Sequence, residues 1–250
     1  EQIKFDVREG FPAVTTKKLA WKGVISELLW MIRGSSNLYE LRAILHGEDH
    51  RFNDNKKTIW DANYYKQGID LGYTDGEMGP IYGSQWRNFK GVDQLKNMLE
   101  LAKNDPSNRR LMVSAWNPAE LSKMTLPPCH YLYQINIKGE YIDLSFNMRS
   151  LDVFLGCPFD IASYATLSHI IARILDKTPR YLSCHFGNTH IYKNHIEQAK
   201  MQLERIPFDL PTLLIDPSLQ TLEDFELAHI DQFKLENYRH HDPIKADMAV

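Results

Sequence analysis

Apolar residues recur about every three to four positions in several segments of the chain, which is the spacing of a buried helix face. Residues 21–33 show this spacing, with Val24, Leu28 and Met31 on one stripe. Residues 161–175 are apolar almost throughout, so we expect a central, buried helix there. The same spacing predicts three further helices, at residues 38–46, 92–103 and 195–205.

Alternation of apolar and polar residues predicts several short strands. The first falls within residues 1–16, which we interpret as a strand and a loop. The others are predicted at residues 111–116, 131–137, 141–146 and 181–186. Lys138-Gly139-Glu140 separates two of them and is typical of a hairpin turn. Beyond Pro207, short strands are expected to alternate with polar turns.

Residues 47–88 lack periodicity and are rich in Gly, Asp, Asn and Tyr. A loop of this length in a compact chain is usually functional or disordered, and its many aromatic residues argue against disorder. The whole pattern predicts one α+β domain over residues 1–250. We expect a large mixed or antiparallel sheet packed by helices.

Composition narrows the possible functions. The 250 residues carry 29 Lys+Arg and 32 Asp+Glu, a net charge of −3, which disfavours a nucleic-acid partner. Three cysteines without a paired motif exclude a disulfide framework, and the histidine spacing does not favour a metal site. No apolar run reaches about 18 residues, so no membrane partner is expected and a cytoplasmic location is predicted.

Two side chains are candidates for chemistry. Cys129 follows two prolines, whose fixed φ stiffens the segment, and such a thiol can be a nucleophile if cations lower its pKa. The competing interpretation is a buried structural cysteine. Glu27 lies among Leu28, Leu29 and Trp30, where an apolar setting would raise its pKa and allow proton transfer. The competing interpretation is an exposed glutamate, because helical spacing alone does not settle its face.

Two arginine-containing segments suggest a phosphate site. Arg109 and Arg110 follow a polar turn, and Arg149 precedes Ser150 just after a predicted strand. Guanidinium groups together with a hydroxyl suit a phosphate dianion. Taken singly, either segment is equally compatible with ordinary surface solvation.

Together these segments resemble the thymidylate synthase family, and the resemblance covers essentially the whole chain in order. The matching segments are Gly10-Phe11-Pro12 with Val14-Thr15-Thr16-Lys17, Glu27-Leu28-Leu29-Trp30, Ile59-Trp60-Asp61, Gly79-Pro80-Ile81-Tyr82-Gly83 with Gln85-Trp86-Arg87, Ser107-Asn108-Arg109-Arg110, Pro128-Cys129-His130, Arg149-Ser150 to Tyr164, His190-Ile191-Tyr192 and Met248-Ala249-Val250.

The resemblance implies one-carbon transfer from 5,10-methylenetetrahydrofolate to C5 of a pyrimidine nucleotide monophosphate, without a metal. It also implies a homodimer in which two large sheets pack face to face. By this resemblance, Cys129 would attack C6 of the base and Arg149 would lower the pKa of the Cys129 thiol. Glu27 organises proton transfer, and Tyr82 helps the water that removes the C5 proton.

The resemblance also implies the binding residues. Arg149 and Ser150 would hold the 5′-phosphate, joined by Arg109 and Arg110 of the partner subunit. The other nucleotide-binding residues would be His130, Asp152, Asp160, His190 and Tyr192, with His190 and Tyr192 at the sugar 3′-hydroxyl. Those expected at the folate are Trp60, Asp152, Gly156 and Val250.

Asp160 departs from the family, whose thymidylate enzymes have Asn at this position to recognise the base edge. A protonated carboxyl matches cytosine, because its O–H donates to N3 and its C=O accepts from the N4 amino group. An ionised carboxylate would face O4 of uracil without a donor, at a cost of about 1–3 kcal/mol or more. Asp160 therefore predicts a dCMP-directed enzyme, as in bacteriophage relatives that modify cytosine, which would place it in the host cytoplasm.

Several alternatives remain open. The favoured product is 5-methyl-dCMP, because Trp60 and the terminal Met248-Ala249-Val250 of the reducing enzymes are retained. Two alternatives are other reactions: hydroxymethylation of dCMP to 5-hydroxymethyl-dCMP, and methylation of dUMP with Asp160 tolerated or engineered. The third is a non-catalytic nucleotide-binding or regulatory relative. Asn188 and Met148 also depart from the family, and an N-terminal phosphate loop is expected to precede Glu1.

Overall fold

The computed structural model describes residues 1–248, and its largest element is a five-stranded sheet in the order β1-β5-β4-β3-β2. These strands are β1 Gln2–Asp6, β2 Met112–Ser114, β3 His130–Lys138, β4 Tyr141–Asp152 and β5 Thr178–His190. Strands β4 and β5 are parallel and the other pairs are antiparallel, so the sheet is mixed, as predicted. A separate antiparallel pair is formed by β6 Thr212–Ile215 and β7 Phe233–Glu236.

Helices cover the sheet and the segments between its strands. They are α1 Trp21–Ile32, α2 Leu38–His46, α3 Asp61–Asn63, α4 Tyr82–Arg87, α5 Gln94–Asn104, α6 Gly156–Ile174, α7 Ile196–Leu203 and α8 Leu222–Leu227. Asn37 caps α2 by accepting from the N–H groups of Tyr39 and Glu40 at 2.9 and 3.3 Å. Within residues 1–248, no helix is long and apolar enough to cross a membrane.

Helix α6 forms the centre of the core. It packs on β4 and β5 and also contacts α1. The Phe146 ring of β4 stacks on the Tyr164 ring of α6 with centroids 4.1 Å apart. Helix α4 approaches α1 at Gly83, where a Cβ atom would lie 2.5 Å from Met31 Cα. This close approach brings the start of α4 against the helix that carries Glu27.

The β3–β4 hairpin is confirmed, and Gly139 at φ +63° allows its tight turn. The expectation that Arg149 and Ser150 follow a strand is wrong, because both lie inside β4. Polar side chains interrupt the apolar alternation here, but the backbone continues to pair with β5 as far as His190. Alternation therefore marks the buried part of a strand and misses its polar end.

The other predicted boundaries differ in instructive ways. The strand predicted at residues 111–116 is limited to β2, and the helix predicted at 195–205 is a 3₁₀ turn, Lys193–His195, followed by α7. The prediction of one long loop over residues 47–88 is wrong in part. That segment contains α3, α4 and a π-helical turn, Tyr64–Gly68, which are too short to show a helical period but bury Trp60, Tyr64 and Tyr82.

Candidate active site

Cys129 lies at the entrance to β3, where two neighbouring elements fix its position. Its backbone N–H donates to the Tyr82 hydroxyl at 2.8 Å, and its carbonyl accepts from the Arg149 N–H at 2.8 Å. The Arg149 guanidinium donates to the carbonyls of Pro128 and Pro127 at 2.9 and 2.8 Å. Its Nη2 then lies 3.9 Å from Cys129 Sγ.

Two opposing effects set the pKa of the Cys129 thiol. Burial raises this pKa, and the nearby Asp160 carboxyl adds to the rise. The Arg149 guanidinium lowers it, as the family resemblance implies, but the net pKa stays above its ordinary value. The thiolate therefore depends on Arg149 for part of its stability.

We expect that replacing Arg149 with glutamine slows alkylation of Cys129. Without the guanidinium, less thiolate is present at neutral pH, and the rate with iodoacetamide should fall about three- to tenfold. Peptide mass spectrometry distinguishes Cys129 from Cys157, whose pKa burial raises to about 11. An unchanged rate at Cys129 would show that Arg149 does not stabilise the thiolate.

Tyr82 begins α4 in a backbone conformation that is rare for a side chain of its size. Its φ is +30°, a strained region that costs of order 1–3 kcal/mol. In this conformation the Tyr82 hydroxyl accepts a hydrogen bond from the Cys129 N–H. The centroid of the Tyr82 ring lies 4.3 Å from that of the His130 ring. Tyr82 is thus held directly against the thiol segment.

Glu27 is buried, with 6% of its surface exposed, so the expectation of an exposed glutamate is excluded. The Trp60 indole donates to its Oε1 at 3.0 Å. Its Oε2 is buried and has no hydrogen-bond partner among residues 1–248. Burial raises the pKa of Glu27 from its ordinary 4.5 to about 7, and the Trp60 hydrogen bond opposes that rise.

This raised pKa predicts a pH-dependent loss of stability. Between its ordinary pKa of 4.5 and about 7, Glu27 keeps its proton in the folded chain and loses it in the unfolded chain. Its contribution is therefore fully present below pH 4.5 and is lost as the pH rises through 7, by up to about 3 kcal/mol. Urea unfolding of wild type and Glu27→Gln across this range measures it, and a constant difference between the two proteins would contradict it.

Asp160 lies in the first turns of α6, and its side chain is 16% exposed. Burial raises its pKa well above the ordinary range, and the carboxyls of Glu27 and Asp152 raise it further. This raised pKa extends the pH range over which the Asp160 carboxyl is protonated. Oδ1 of Asp160 lies 4.0 Å from Nε2 of His130, whose pKa burial lowers to about 3.

Tyr164 is a member of this cluster to which sequence reasoning assigned no role. Its hydroxyl lies 2.8 Å from Nδ1 of His130, and the two rings meet edge to face. This contact fixes the orientation of the imidazole beside Asp160. The two residues are 34 positions apart in sequence, so no local pattern links them.

The other predicted nucleotide residues lie at the ends of β4 and β5. Asp152 pairs with His190 in the parallel ladder, next to Ser150. The rings of His190 and Tyr192 are 5.0 Å apart between centroids. Asn188, which departs from the family, places its Oδ1 3.1 Å from Nδ1 of His190. The asparagine at position 188 therefore lies directly against the His190 imidazole.

The residues predicted to bind folate lie in different parts of the structure. Trp60 is 5% exposed and lies among Trp30, Tyr82 and Glu27. Asp152 accepts from the N–H groups of Phe154 and Leu155 at 2.9 and 3.3 Å, which orders the turn before α6. Gly156 begins α6, where a Cβ atom would be in ordinary contact with Asp152 and Asp160. Val250 lies outside the described residues.

Arg109 and Arg110 are separate from the Cys129 cluster in this chain. They lie on the loop before β2 and line a pocket with Asp105, Ser107 and Asn108. The structure therefore does not bring them to Arg149 within one subunit. No group of three or more metal-binding side chains occurs in the part of the chain that the structure describes.

The buried carboxyls and the thiol beside an arginine, set at the edge of a mixed sheet, are the features of an enzyme that uses a cysteine nucleophile. A sequence model described as Thymidylate synthase matches residues 1–250, so the chain belongs to the thymidylate synthase family. It is therefore a folate-dependent methyltransferase with methylenetetrahydrofolate as cosubstrate. The function common to this family is transfer to C5 of a pyrimidine nucleotide.

Individual relatives are similar to this chain over nearly its full length. The chain is 50% identical over 249 residues to a probable thymidylate synthase of Escherichia phage T5, covering 98% of this chain and 88% of the relative. It is 50% identical over 258 residues to the thymidylate synthase of Enterobacteria phage T4, covering 100% and 89%. A bifunctional dihydrofolate reductase-thymidylate synthase of Plasmodium chabaudi is 40% identical over 264 residues, covering 99% of this chain and 43% of the relative.

The fold is also that of the family. The crystal structure of thymidylate synthase from T4 phage matches with a TM-score of 0.93 and 49% identity, covering 100% of this chain and 89% of that one. The predicted α+β fold is thereby confirmed. The prediction of dCMP as the substrate gains no support from the relatives' names, which favour the dUMP alternative.

Proposed function

We propose that this enzyme methylates C5 of dUMP through a covalent bond between Cys129 and C6 of the base. The carrying observation is the cluster of Cys129, Arg149, Tyr82 and Glu27, in a chain 50% identical to phage proteins named thymidylate synthase. Retention of Cys129, Glu27 and Tyr82 argues against a non-catalytic relative. We treat dCMP as a second candidate because Asp160 specifically favours it.

In this proposal Cys129 supplies the nucleophile. Its thiolate forms a bond to C6, and the electrons of the C5–C6 double bond move towards O4, leaving C5 nucleophilic. Once C5 carries the one-carbon unit, loss of the C5 proton would release that carbon from the folate nitrogen. Hydride from the cosubstrate would then add to the transferred carbon as the C5–C6 double bond re-forms and the Cys129 thiolate leaves. Glu27 moves protons at the base, since its pKa of about 7 allows both protonation states near neutral pH. Tyr82 orients the water that takes the C5 proton.

A protonated Asp160 is compatible with uracil. Its C=O can accept from N3–H while its O–H donates to O4, so both polar groups of the base edge are satisfied. The penalty predicted from an ionised carboxylate therefore does not apply while burial keeps the pKa of Asp160 raised. This is why dUMP and Asp160 are compatible.

The same carboxyl also favours cytosine. Its O–H can donate to N3 while its C=O accepts from the N4 amino group. Attack at C6 of cytosine moves electrons towards N3, and Asp160 can supply the proton that N3 then takes up. The specific observation that keeps dCMP as the second candidate is the buried carboxyl of Asp160, whose pKa burial raises.

The residues also fit the cosubstrate. Glu27 Oε2 is a buried polar atom with no partner among residues 1–248, next to the Trp60 indole. We propose that Glu27, Trp60, Asp152 and Gly156 hold methylenetetrahydrofolate. When bound, this group supplies the one-carbon unit and the hydride. Retention of Trp60, a closure residue of the reducing enzymes in the family, supports a methyl product over a hydroxymethyl product.

We propose a homodimer formed through the sheet. A groove of about 510 Å³ on the sheet is lined by Arg149 and by the apolar or aromatic side chains of Trp116, Tyr131, Met148 and Phe186, together with the polar Asn147 and His185 and the chain start at Glu1. In the dimer, Arg149 and Ser150 bind the 5′-phosphate together with Arg109 and Arg110 of the partner subunit. His190 and Tyr192 bind the sugar. The separation of Arg109 and Arg110 from the Cys129 cluster supports this arrangement.

Mass spectrometry of nucleotides tests the proposal. The enzyme is mixed with methylenetetrahydrofolate and equal amounts of dUMP and dCMP. Thymidylate formation supports dUMP methylation, whereas 5-methyl-dCMP or 5-hydroxymethyl-dCMP alone supports the second candidate and identifies its product. If neither nucleotide is converted while both bind, the proposed activity is refuted and a non-catalytic role is favoured.

A further inference from the structure

Arg42 is the centre of a buried ion-pair cluster outside the group around Cys129. It lies on α2, and its side chain has no exposed surface. Its guanidinium donates to Asp61 and, at 2.7 Å, to Asp54. Burying an arginine is costly unless carboxylates compensate its charge, and two do so here.

A continuous series of contacts leads from this cluster to Glu27. Asp61 Oδ2 accepts from the N–H and the hydroxyl of Thr58 at 2.6 and 2.9 Å. The Thr58 hydroxyl oxygen accepts from the Trp60 N–H at 3.2 Å. The Trp60 indole then donates to Glu27 Oε1 at 3.0 Å. Each contact fixes the group that makes the next one.

The segment that carries Trp60 needs such a tether. Residues 51–60 form turns rather than a helix or strand, and Phe52 and Ile59 are 73% and 47% exposed. Apart from the Tyr39–Phe52 ring contact and the buried Trp60 at its end, few apolar contacts hold this segment on α2, and a segment of that kind opens readily. The Arg42–Asp61 ion pair is a buried polar contact between α2 and the residue that directly follows this segment.

We propose that Arg42 is a positioning residue that, through Asp61 and Thr58, holds the Trp60 indole on the Glu27 carboxyl during the reaction. This inference deepens the proposed function and rests on it, because Glu27 is there assigned to proton transfer. Asp54 serves as an internal comparison. It also pairs with Arg42, but it is 67% exposed and makes no contact in the Thr58–Trp60 series.

Spectra of the indole N–H groups test the tether without any substrate. With ¹⁵N-labelled tryptophan, the five indole signals are resolved, and Trp60→Phe identifies the one from Trp60. Arg42→Gln and Thr58→Val are expected to shift or broaden this signal, whereas Asp54→Asn leaves it near its wild-type position. Thr58→Val keeps the shape of the side chain and both buried charges, so it remains informative if Arg42→Gln does not fold.

Kinetics test the consequence for the reaction. For Thr58→Val and Arg42→Gln, kcat should fall about tenfold with little change in KM for the nucleotide, and Asp54→Asn should stay within about twofold of wild type. An unchanged Trp60 signal in Thr58→Val overturns the proposal, as does a moved signal with unchanged kcat. A wild-type enzyme that converts neither nucleotide refutes the proposed function instead, and the indole spectra then decide the tether alone.

Discussion

Replacing Cys129 with serine should reduce kcat by at least about a thousandfold. The serine hydroxyl occupies nearly the same space, but at neutral pH it is almost never ionised, and Arg149 cannot compensate for that difference. The Tyr82 and Arg149 contacts to the Cys129 backbone do not involve the sulfur atom. Nucleotide binding should therefore persist within a few-fold, as measured by equilibrium dialysis.

Cys157→Ser is the matched control for this experiment. Cys157 is also partly buried, and its pKa is raised to about 11 by burial, so it is a poor nucleophile. We expect its kcat to remain within about threefold of wild type. If Cys129→Ser kept a tenth of wild-type turnover, the covalent route through Cys129 would be excluded, whichever nucleotide is the substrate.

Sequence reasoning was most successful where a signal is local. The helical stripe at Val24, Leu28 and Met31 correctly located α1, and the Lys138-Gly139-Glu140 turn correctly located the β3–β4 hairpin. Both depend on neighbours within a few residues, and the backbone geometry follows directly from them. The burial of Glu27 required the fold, because only packing against other helices decides which face of α1 is covered.

The site itself depends on contacts that no local pattern records. Tyr164 meets His130, and a series of hydrogen bonds through Asp61 and Thr58 links Arg42 to Trp60. The predicted strands stop short of the ends of β4 and β5, because polar side chains there interrupt the apolar alternation. Resemblance to a family supplied the candidate residues, but the distances and protonation states had to come from the structure. The clearest example is the protonation state of Asp160, which depends on the burial of its carboxyl.

Asp160→Asn is expected to change the preference between substrates by about a hundredfold or more. An asparagine amide can pair with uracil, since its C=O accepts from N3–H and its NH₂ donates to O4. It can also turn and pair with cytosine, but it cannot deliver a proton to N3 as C6 is attacked. Turnover of dCMP should therefore fall by about 10²- to 10⁴-fold, while turnover of dUMP is kept or increased.

The pH dependence on dUMP provides a second, independent readout of the same substitution. In the wild type, raising the pH through the elevated pKa of Asp160 places a carboxylate opposite O4, so kcat/KM for dUMP should fall on the alkaline side. The amide of the variant does not ionise, and this alkaline decrease should disappear. The competition experiment in the mass spectrometer measures the ratio at each pH. If Asp160→Asn changes neither the ratio of products from dUMP and dCMP nor the alkaline decrease in kcat/KM for dUMP, Asp160 does not contact the base. Substrate choice would then depend on His130, Asn188 or another neighbour of the β4–β5 edge.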